Sequence, residues 1–427
     1  MCRVRRPWPF GIVEEMTNEP PLPHDPYEAL RYPEYRWFLA GSMAMFMGFQ
    51  MQSLIMGWQV YEITHDALSL GLIGLAEAIP FLALTLLGGH AADRRDRRRM
   101  SIISMAVIWM GALLLVALSF RPAQRVAWPF YAIQALAGAG RAFYRPASQA
   151  LGTELVPRES YQNAATWRSS VFHLAMVLGP ALGGLLYGFG SARLAYSVEA
   201  CLMAFSLVSL ALLRARPRQP SGSASVLQSL SEGVRFVFEK KLVLSALSLD
   251  LFAVLFGGAV AMLPAFAHEV LKVGPQGLGL LRAAPAVGSV AMSFALAHRP
   301  PMKKAGATLL GCVAAFGLCW IAFACSKSFA LSMVLLAASG AFDNVSVVLR
   351  GTLVQTCTPP EMMGRVQAVN SFFIGSSNEL GAYESGITAH WMGLVPSVVM
   401  GGCMTLLTVG LTAWSVPQLR RLKRIGQ

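Results

Sequence analysis

Charge is scarce in this chain. Asp, Glu, Lys and Arg make up 13% of its 427 residues, where soluble domains carry about 25%. With 55% hydrophobic residues and a mean hydropathy of +0.52, the chain cannot fold around a single water-soluble core. Acidic residues are the scarcer sign, 22 against 35 basic, for a net charge of +13. Nucleic-acid binding would gather that excess into one patch interleaved with aromatics. Here the basic residues fall in short loops between apolar runs. There they act as an orientation signal and attract anionic lipid headgroups. A lipid bilayer is the expected partner, and nucleic acid is not.

Reactive chemistry is missing as well. The cysteines (Cys2, Cys201, Cys312, Cys319, Cys325, Cys357, Cys403) include no C-x-x-C pair and lie mostly inside apolar runs, as small buried hydrophobes do. The histidines (His24, His65, His90, His173, His268, His298, His390) are scattered, with no H-E-x-x-H spacing. No metal site and no cofactor are therefore expected. The absence of a Gly-Lys-Ser/Thr phosphate loop argues against an ATP-driven pump. A membrane-embedded transferase stays open as an alternative of another class, but it would need a nucleophile or metal cluster.

What is abundant is long apolar runs. A bilayer-spanning helix needs about 20 mostly apolar residues. That rule predicts an all-α membrane protein with about twelve spans: 36–62, 68–92, 99–120, 126–150, 163–190, 192–213, 241–268, 276–298, 305–326, 328–356, 366–391 and 394–416. Basic residues crowd the loops on one side, from Arg94–Arg99 through Arg158, Arg214, Lys240 and Lys304 to Arg365. The other side offers Arg121, Arg125, Arg193, Lys272 and Lys327. Positive charge stays inside during insertion, so both termini are expected in the cytoplasm.

Residues 214–240 are polar, with linker composition in their first half. They divide the chain into a cytoplasmic tail (1–35), a first six-helix bundle (36–213), the linker (214–240), a second six-helix bundle (241–416) and a basic tail (417–427). Residues 1–15 carry no recognisable element, which makes Met16 a candidate start. The halves read as repeats at a fixed offset of 202 residues. Gly138 maps to Gly340, Pro157 to Pro359, Glu159 to Glu361, Gly179 to Gly381 and Gly184 to Gly386. Two pseudo-symmetric bundles around a central cavity are a known plan for transporters.

The most informative stretch is Gly89-His-Ala-Ala-Asp93-Arg94-Arg95-Asp96-Arg97-Arg98-Arg99, between the second and third runs. It resembles the Gly-x-x-x-Asp-Arg-x-Gly-Arg-Arg loop of the major facilitator superfamily, at Gly89, Asp93, Arg94, Arg97 and Arg98. It departs at Asp96, where glycine is common. Ala175-Met-Val-Leu-Gly179-Pro180-Ala-Leu-Gly183-Gly184 resembles the motif that marks exporters in that superfamily, with alanine at its first glycine. Glu154-Leu-Val-Pro157-Arg-Glu, Leu263-Pro-Ala-Phe-Ala and Gly364-Arg365-Val-Gln-Ala-Val are similar to the enterobactin-exporter-like branch. The resemblance covers nearly all of residues 30–416. It implies a cytoplasmic gate at the loop, with Glu154 as a partner for its arginines, and a bend at Pro180 that governs cavity closure. Read from spacing alone, Ala175, Gly179 and Gly183 form one small-residue face, which also suits plain helix packing.

Ionisable residues at membrane depth are costly, so each is a functional candidate. They are Glu77, Arg141, Arg145, Arg168, Glu199, Asp250, Arg282, Asp343, Arg350, Glu379 and Glu384. Arg168 and Glu199 are expected near span ends, able to snorkel. Arg141 and Asp343 are repeat counterparts near mid-span, which points to an ion pair across the cavity. Low dielectric favours a neutral carboxylate, so such a group can load and release a proton as access alternates. Asp343 and Glu379 rank first for that role, then Glu77, then Asp250; a static set of ion pairs is the alternative. Phe46, Met51, Met56, Trp58, Phe252, Phe372 and Phe373 are candidates for lining the cavity.

The expectation is a monomeric, proton-coupled secondary transporter in a bacterial inner membrane, exporting a small amphiphilic molecule such as a drug, siderophore or metabolite. It needs a proton gradient and no cofactor. A divalent-metal or siderophore-related exporter is the alternative.

Overall fold

A computed structural model describes residues 25–120, 126–214, 226–257, 259–298, 304–359, 362–420 and 422, apart from a few side chains, among them that of Asp93. The described residues are helical throughout. They form α1 (Pro33–Thr64), α2 (Ala67–Arg94), α3 (Arg97–Ser119), α4 (Trp128–Glu154), α5 (Tyr161–Phe189), α6 (Ala192–Leu212), α7 (Val226–Glu239) and α8 (Lys241–Gly257). After α8 come α9 (Leu263–Ala265), α10 (Pro275–Ala297), α11 (Ala305–Cys325), α12 (Phe329–Cys357), α13 (Met363–Met392), α14 (Leu394–Ser415) and α15 (Pro417–Arg420).

Side-chain chemistry sets the helix limits. Asp66, Asp96, Ser191 and Ser328 cap α2, α3, α6 and α12 by accepting from free backbone N–H groups. Pro33 and Pro275 sit in first turns, where no N–H is needed. The seventh span, expected over 241–268, runs over Lys241–Val270; along it α8 is followed by a 3-10 turn (Ala259–Met262), α9 and a π turn (Phe266–Val270) rather than by regular α-helix. Pro264, at the start of α9, lacks the N–H that a continuous helix would use. The linker is not wholly irregular either, because its second part forms the amphipathic helix α7.

Ten helices among the described residues are long and apolar enough to cross a membrane. The 27-residue α4 and 30-residue α13 are long enough but more polar. With them the fold has about twelve spans in two pseudo-symmetric six-helix bundles. Large apolar side chains face outward along the spans, such as Ile103 and Phe294, as a lipid-facing surface requires. Trp128, Trp391 and Trp414 are exposed at helix ends, where aromatic belts form.

The start of α1, the end of α14 and α7 lie at one end of the molecule, here the terminal end; the opposite end is the far end. The pseudo-symmetry is visible in contacts. Gly138 on α4 lies against the Glu77 carbonyl on α2, and its counterpart Gly340 on α12 lies against the Pro285 carbonyl on α10. A methyl group at either position would collide with backbone. One apolar cluster joins the halves at the far end, where Met51, Ile55, Trp58 and Tyr61 meet Met262, Phe266, Leu278 and Leu281. Toward the terminal end the halves keep separate cores, one around Phe38, Met105, Tyr144 and Leu210, the other around Leu249, Leu309, Val345 and Leu353.

Candidate functional site

Two seams close the far end. On one side Gly184 of α5 meets Gly279 of α10, where an added Cβ would come within 2.9 Å of the Gly279 Cα. On the other, Gly386 of α13, the repeat counterpart of Gly184, meets Gly71 of α2 at 2.8 Å by the same measure. Polar contacts reinforce the closure. Asp66 and His390 are 2.9 Å apart, the Tyr61 hydroxyl donates to Glu269, and Arg282 donates to the Ser53 hydroxyl at 3.0 Å. Gly179 and Gly183 of the expected small-residue face instead bring α5 against α1, at Met47, Gln50 and Met51, and Ala175 is fully buried beside them. Pro180 lies inside α5, and its carbonyl faces Gly279.

The polar interior of the first half is a chain of hydrogen bonds. Gln52 on α1 donates to Gln134 on α4 at 3.4 Å. Gln134 donates to Glu77 on α2 at 2.5 Å, and Glu77 forms an ion pair with Arg141 on α4. The Arg141 guanidinium lies 4.0 Å from the centre of the Phe49 ring, with Phe81 at 5.9 Å, within cation–π range. Glu379 on α13, from the other half, has its carboxylate 3.7 Å from where a Cβ on Gly74 of α2 would stand, close enough to Arg141 for their charges to attract. The second half has its own pair, Asp250 on α8 with Arg350 on α12. Asp343 and Asp250 line one small pocket with Phe316 and Ser346. Glu384 stands one turn and a half beyond Glu379 and has no ion pair among the described residues.

The expected Arg141–Asp343 pair is thus not formed. α4 packs on α2 and α3, and α12 packs on α10 and α11, so the Arg141 side chain meets a carboxylate of its own half. Glu199 also differs from expectation. It is fully buried seven residues inside α6, and neither carboxylate oxygen has a hydrogen-bond partner among the described residues. Met51, Met56 and Trp58 belong to the far-end core rather than a cavity wall. Phe46 packs edge-on against Phe172 at 5.2 Å. Phe372, on the face of α13 that carries Glu379, is 50% exposed.

At the terminal end, Arg97 pairs with Glu154 at 2.6 Å and Arg98 donates to the Ala211 carbonyl at 2.6 Å. These contacts tie α3 to the ends of α4 and α6. The side chain of Asp93 lies outside the described residues, and Arg94 is exposed. Asp96 is explained by local chemistry: it caps α3, accepting from the Arg99 N–H at 3.0 Å. The glycine that permits close packing here is Gly88, against the Ala142 carbonyl of α4, whereas Gly89 stands in open space. Gly88, Gln52, Gln134, Phe49 and Phe81 were not singled out from the sequence. Two glutamines at helix interior positions in apolar runs were the available signal for part of this chain. A groove of about 600 Å³ runs along α3 from Arg95 and Arg99 to Val107 and Phe143. It lies apart from the space between the halves.

The surroundings of this chain among known proteins agree with that architecture. The multidrug efflux pump Tap of Mycolicibacterium fortuitum is 26% identical over 382 residues, covering 86% of this chain and 91% of the relative. The enterobactin exporter EntS of Escherichia coli O6:K15:H31 (strain 536 / UPEC) is 27% identical over 372 residues, covering 86% and 88%. Among solved structures, a bacterial homolog of the human lysosomal transporter Spinster, inward-facing and unoccupied, superposes with a TM-score of 0.70 at 16% identity, over 91% of this chain and 98% of that one. A D-xylose-proton symporter gives a TM-score of 0.70 at 15% identity, over 92% and 100%. These two show the fold. The family model described as Major Facilitator Superfamily matches residues 38–382, and the chain belongs to that superfamily: it is a multi-pass membrane transporter, not an enzyme.

Proposed function

We propose that the chain is a proton-coupled exporter of a small amphiphilic molecule, working by alternating access as a monomer in a bacterial inner membrane with both termini in the cytoplasm. The observation that carries the coupling is Glu379. It belongs to one half yet its carboxylate lies against Gly74 on α2 of the other, the helix whose Glu77 holds Arg141, across the gap that must widen and narrow as access alternates. When the halves part, Glu379 loses the guanidinium that favours its charged form and takes up a proton; when they close, it gives the proton up. Glu77 keeps Arg141 compensated throughout. The direction of export is supported by the efflux and exporter names of the two relatives. The cytoplasmic placement of the termini is supported by the basic loops of the terminal end. In that frame the structure has its outer side closed by the two glycine seams, and its cytoplasmic side is the one where the cores are separate. Arg97–Glu154 holds the cytoplasmic gate region, the role proposed for Gly89, Asp93, Arg94 and Arg98 as well.

The test is a proteoliposome uptake screen under an imposed pH gradient, across dyes, siderophores and amino acids. Gradient-driven movement of at least one compound is expected. In Glu379→Gln it should lose its dependence on the gradient while facilitated exchange of the same compound persists. Unchanged gradient dependence in a normally folded Glu379→Gln protein would remove Glu379 from the mechanism.

A further inference from the structure

The cations of the first half do not balance. Arg141 has Glu77 within its own half and Glu379 across the gap. Arg145, one turn along α4 on the same face, and Arg168 on α5 have neither. Neither makes a hydrogen bond or an ion pair with another described residue, although Arg168 feels the charge of Arg145. Arg145 is exposed and Arg168 half-buried. Nine residues separate Arg145 from the terminal end of α4 and seven separate Arg168 from that of α5. At 1.5 Å per residue both guanidiniums root about 10 to 14 Å in from the helix ends. α4 and α5 both pack on α1, so the two residues stand on neighbouring walls beside that helix. Apolar rings stand beside it: Phe172, one turn after Arg168, is 41% exposed and touches Phe46 of α1.

Like charges brought together at this depth repel and are costly to hold. A bare structural role would pair them, as Arg141 and Arg350 are paired. Two open guanidinium forks next to exposed aromatic carbon are complementary to an oxyanion attached to an apolar body. We propose that Arg145 and Arg168 form the anion subsite of the transport cavity, so that the transported molecule is an amphiphile carrying a carboxylate or phosphate on an aromatic or acyl body. The proposal rests on the reading of the chain as an exporter and names the substrate class of its cavity. Tyr35 and Tyr144 lie near Arg168, the Tyr35 hydroxyl donating to the Ala164 carbonyl at 2.6 Å, but neither is hydrogen-bonded to the Arg168 guanidinium among the described residues.

A matched pair of probes tests this: pyrenebutyrate and its uncharged amide, binding to the full chain in detergent, read by tryptophan-to-pyrene energy transfer. Charge-assisted hydrogen bonds predict that the acid binds about tenfold to a hundredfold tighter than the amide. In Arg145→Gln/Arg168→Gln that preference should vanish, and in Arg145→Lys/Arg168→Lys it should persist in part. A second measurement needs no variant. Phenylglyoxal should modify Arg145 and Arg168 in the wild-type chain, and pyrenebutyrate, but not the amide, should protect them, as read by peptide mass spectrometry. Repeating the pair with an alkyl phosphate and its neutral ester ranks carboxylate against phosphate. Equal binding of acid and amide by the wild-type chain, an acid preference that survives the glutamine variants, or absent protection overturns the subsite. The pH-gradient screen separates the two readings. Gradient-driven transport with no acid preference overturns the subsite alone. Acid preference without gradient-driven transport overturns the proton-coupled exporter and leaves the subsite standing.

Discussion

Among the described residues each half buries one carboxylate–arginine pair, and the pairs sit in different surroundings. Asp250 and Arg350 are 11% and 6% exposed at the side chain and are enclosed within the second half. In the first half Glu77 is 7% exposed, but Arg141 is 27% exposed, stacked on Phe49 and reached by Glu379 from across the gap. The same chemistry is therefore enclosed within one half on one side and reaches the facing half on the other; under the proposed alternating access the first is a static brace and the second a contact that changes with the distance between halves. Repeat symmetry at the level of helices does not carry over to charge. The position equivalent to Arg141 holds Asp343, which lines a pocket with another carboxylate and has no ion pair among the described residues.

The largest way to break this comparison is to remove the enclosed cation. Arg350→Met leaves Asp250 buried without a partner and is expected to destabilise the chain by about 3–5 kcal/mol. The reading is the melting temperature and the monodisperse yield in detergent. The double change Asp250→Asn/Arg350→Met should recover most of the loss, because a brace without charge needs no partner. A single variant that melts like the wild type would mean that the pair is not a brace.

Removing Glu77 is the matched experiment. Arg141 keeps Glu379 and the Phe49 ring, so Glu77→Gln is expected to cost only the charge-assisted part of the interaction, about 1.5–3 kcal/mol. It should disturb transport more than folding. If Glu77→Gln and Arg350→Met destabilise equally, the two halves do not differ in the way their exposures indicate.

Composition and apolar run length made the membrane environment and the span count legible, because desolvating a backbone in lipid leaves few alternatives to a helix. Repeat spacing was legible where backbone contact demands a residue without a side chain. Gly138, Gly184 and their counterparts each turned out to sit at a helix crossing. Pairing of charges was less legible. Arg141 and Asp343 share a register, but partner choice depends on which helices pack together, and that is a property of the folded bundle. The 3-10 and π turns between Ala259 and Val270 were hidden because a membrane helix tolerates an isolated proline, so Pro264 did not announce them. Asp96 looked like a defect in a motif and is a helix cap, a role set by three residues of local sequence.

Glycine positions sharpen the comparison at the level of packing, where the halves do match. Gly138→Val and Gly340→Val each push a side chain into the carbonyl of the neighbouring helix. Overpacking of this kind costs about 1–3 kcal/mol. The two variants are expected to lower the melting temperature by similar amounts, since the crossings of α4 on α2 and α12 on α10 are equivalent. A loss confined to one of them would show that the pseudo-symmetry is geometric but not energetic.

The smallest expected effect on stability belongs to the pair at the terminal end. Arg97 and Glu154 are 22% and 35% exposed, and ion pairs at such sites contribute about 0.2–1 kcal/mol, less in high salt. Glu154→Gln should therefore melt almost as the wild type does. If the pair belongs to the gate, its weight falls on the equilibrium between conformations, where the same fraction of a kcal/mol shifts populations a few-fold. The informative variant is the reversal Arg97→Glu/Glu154→Arg. It restores the attraction, so it should regain the transport rate that Glu154→Gln loses, even though neither change moves the melting temperature much. Failure of the reversal to restore transport would place the requirement on Arg97 itself, through its second contact with the Ala92 carbonyl at the end of α2, and not on the pair.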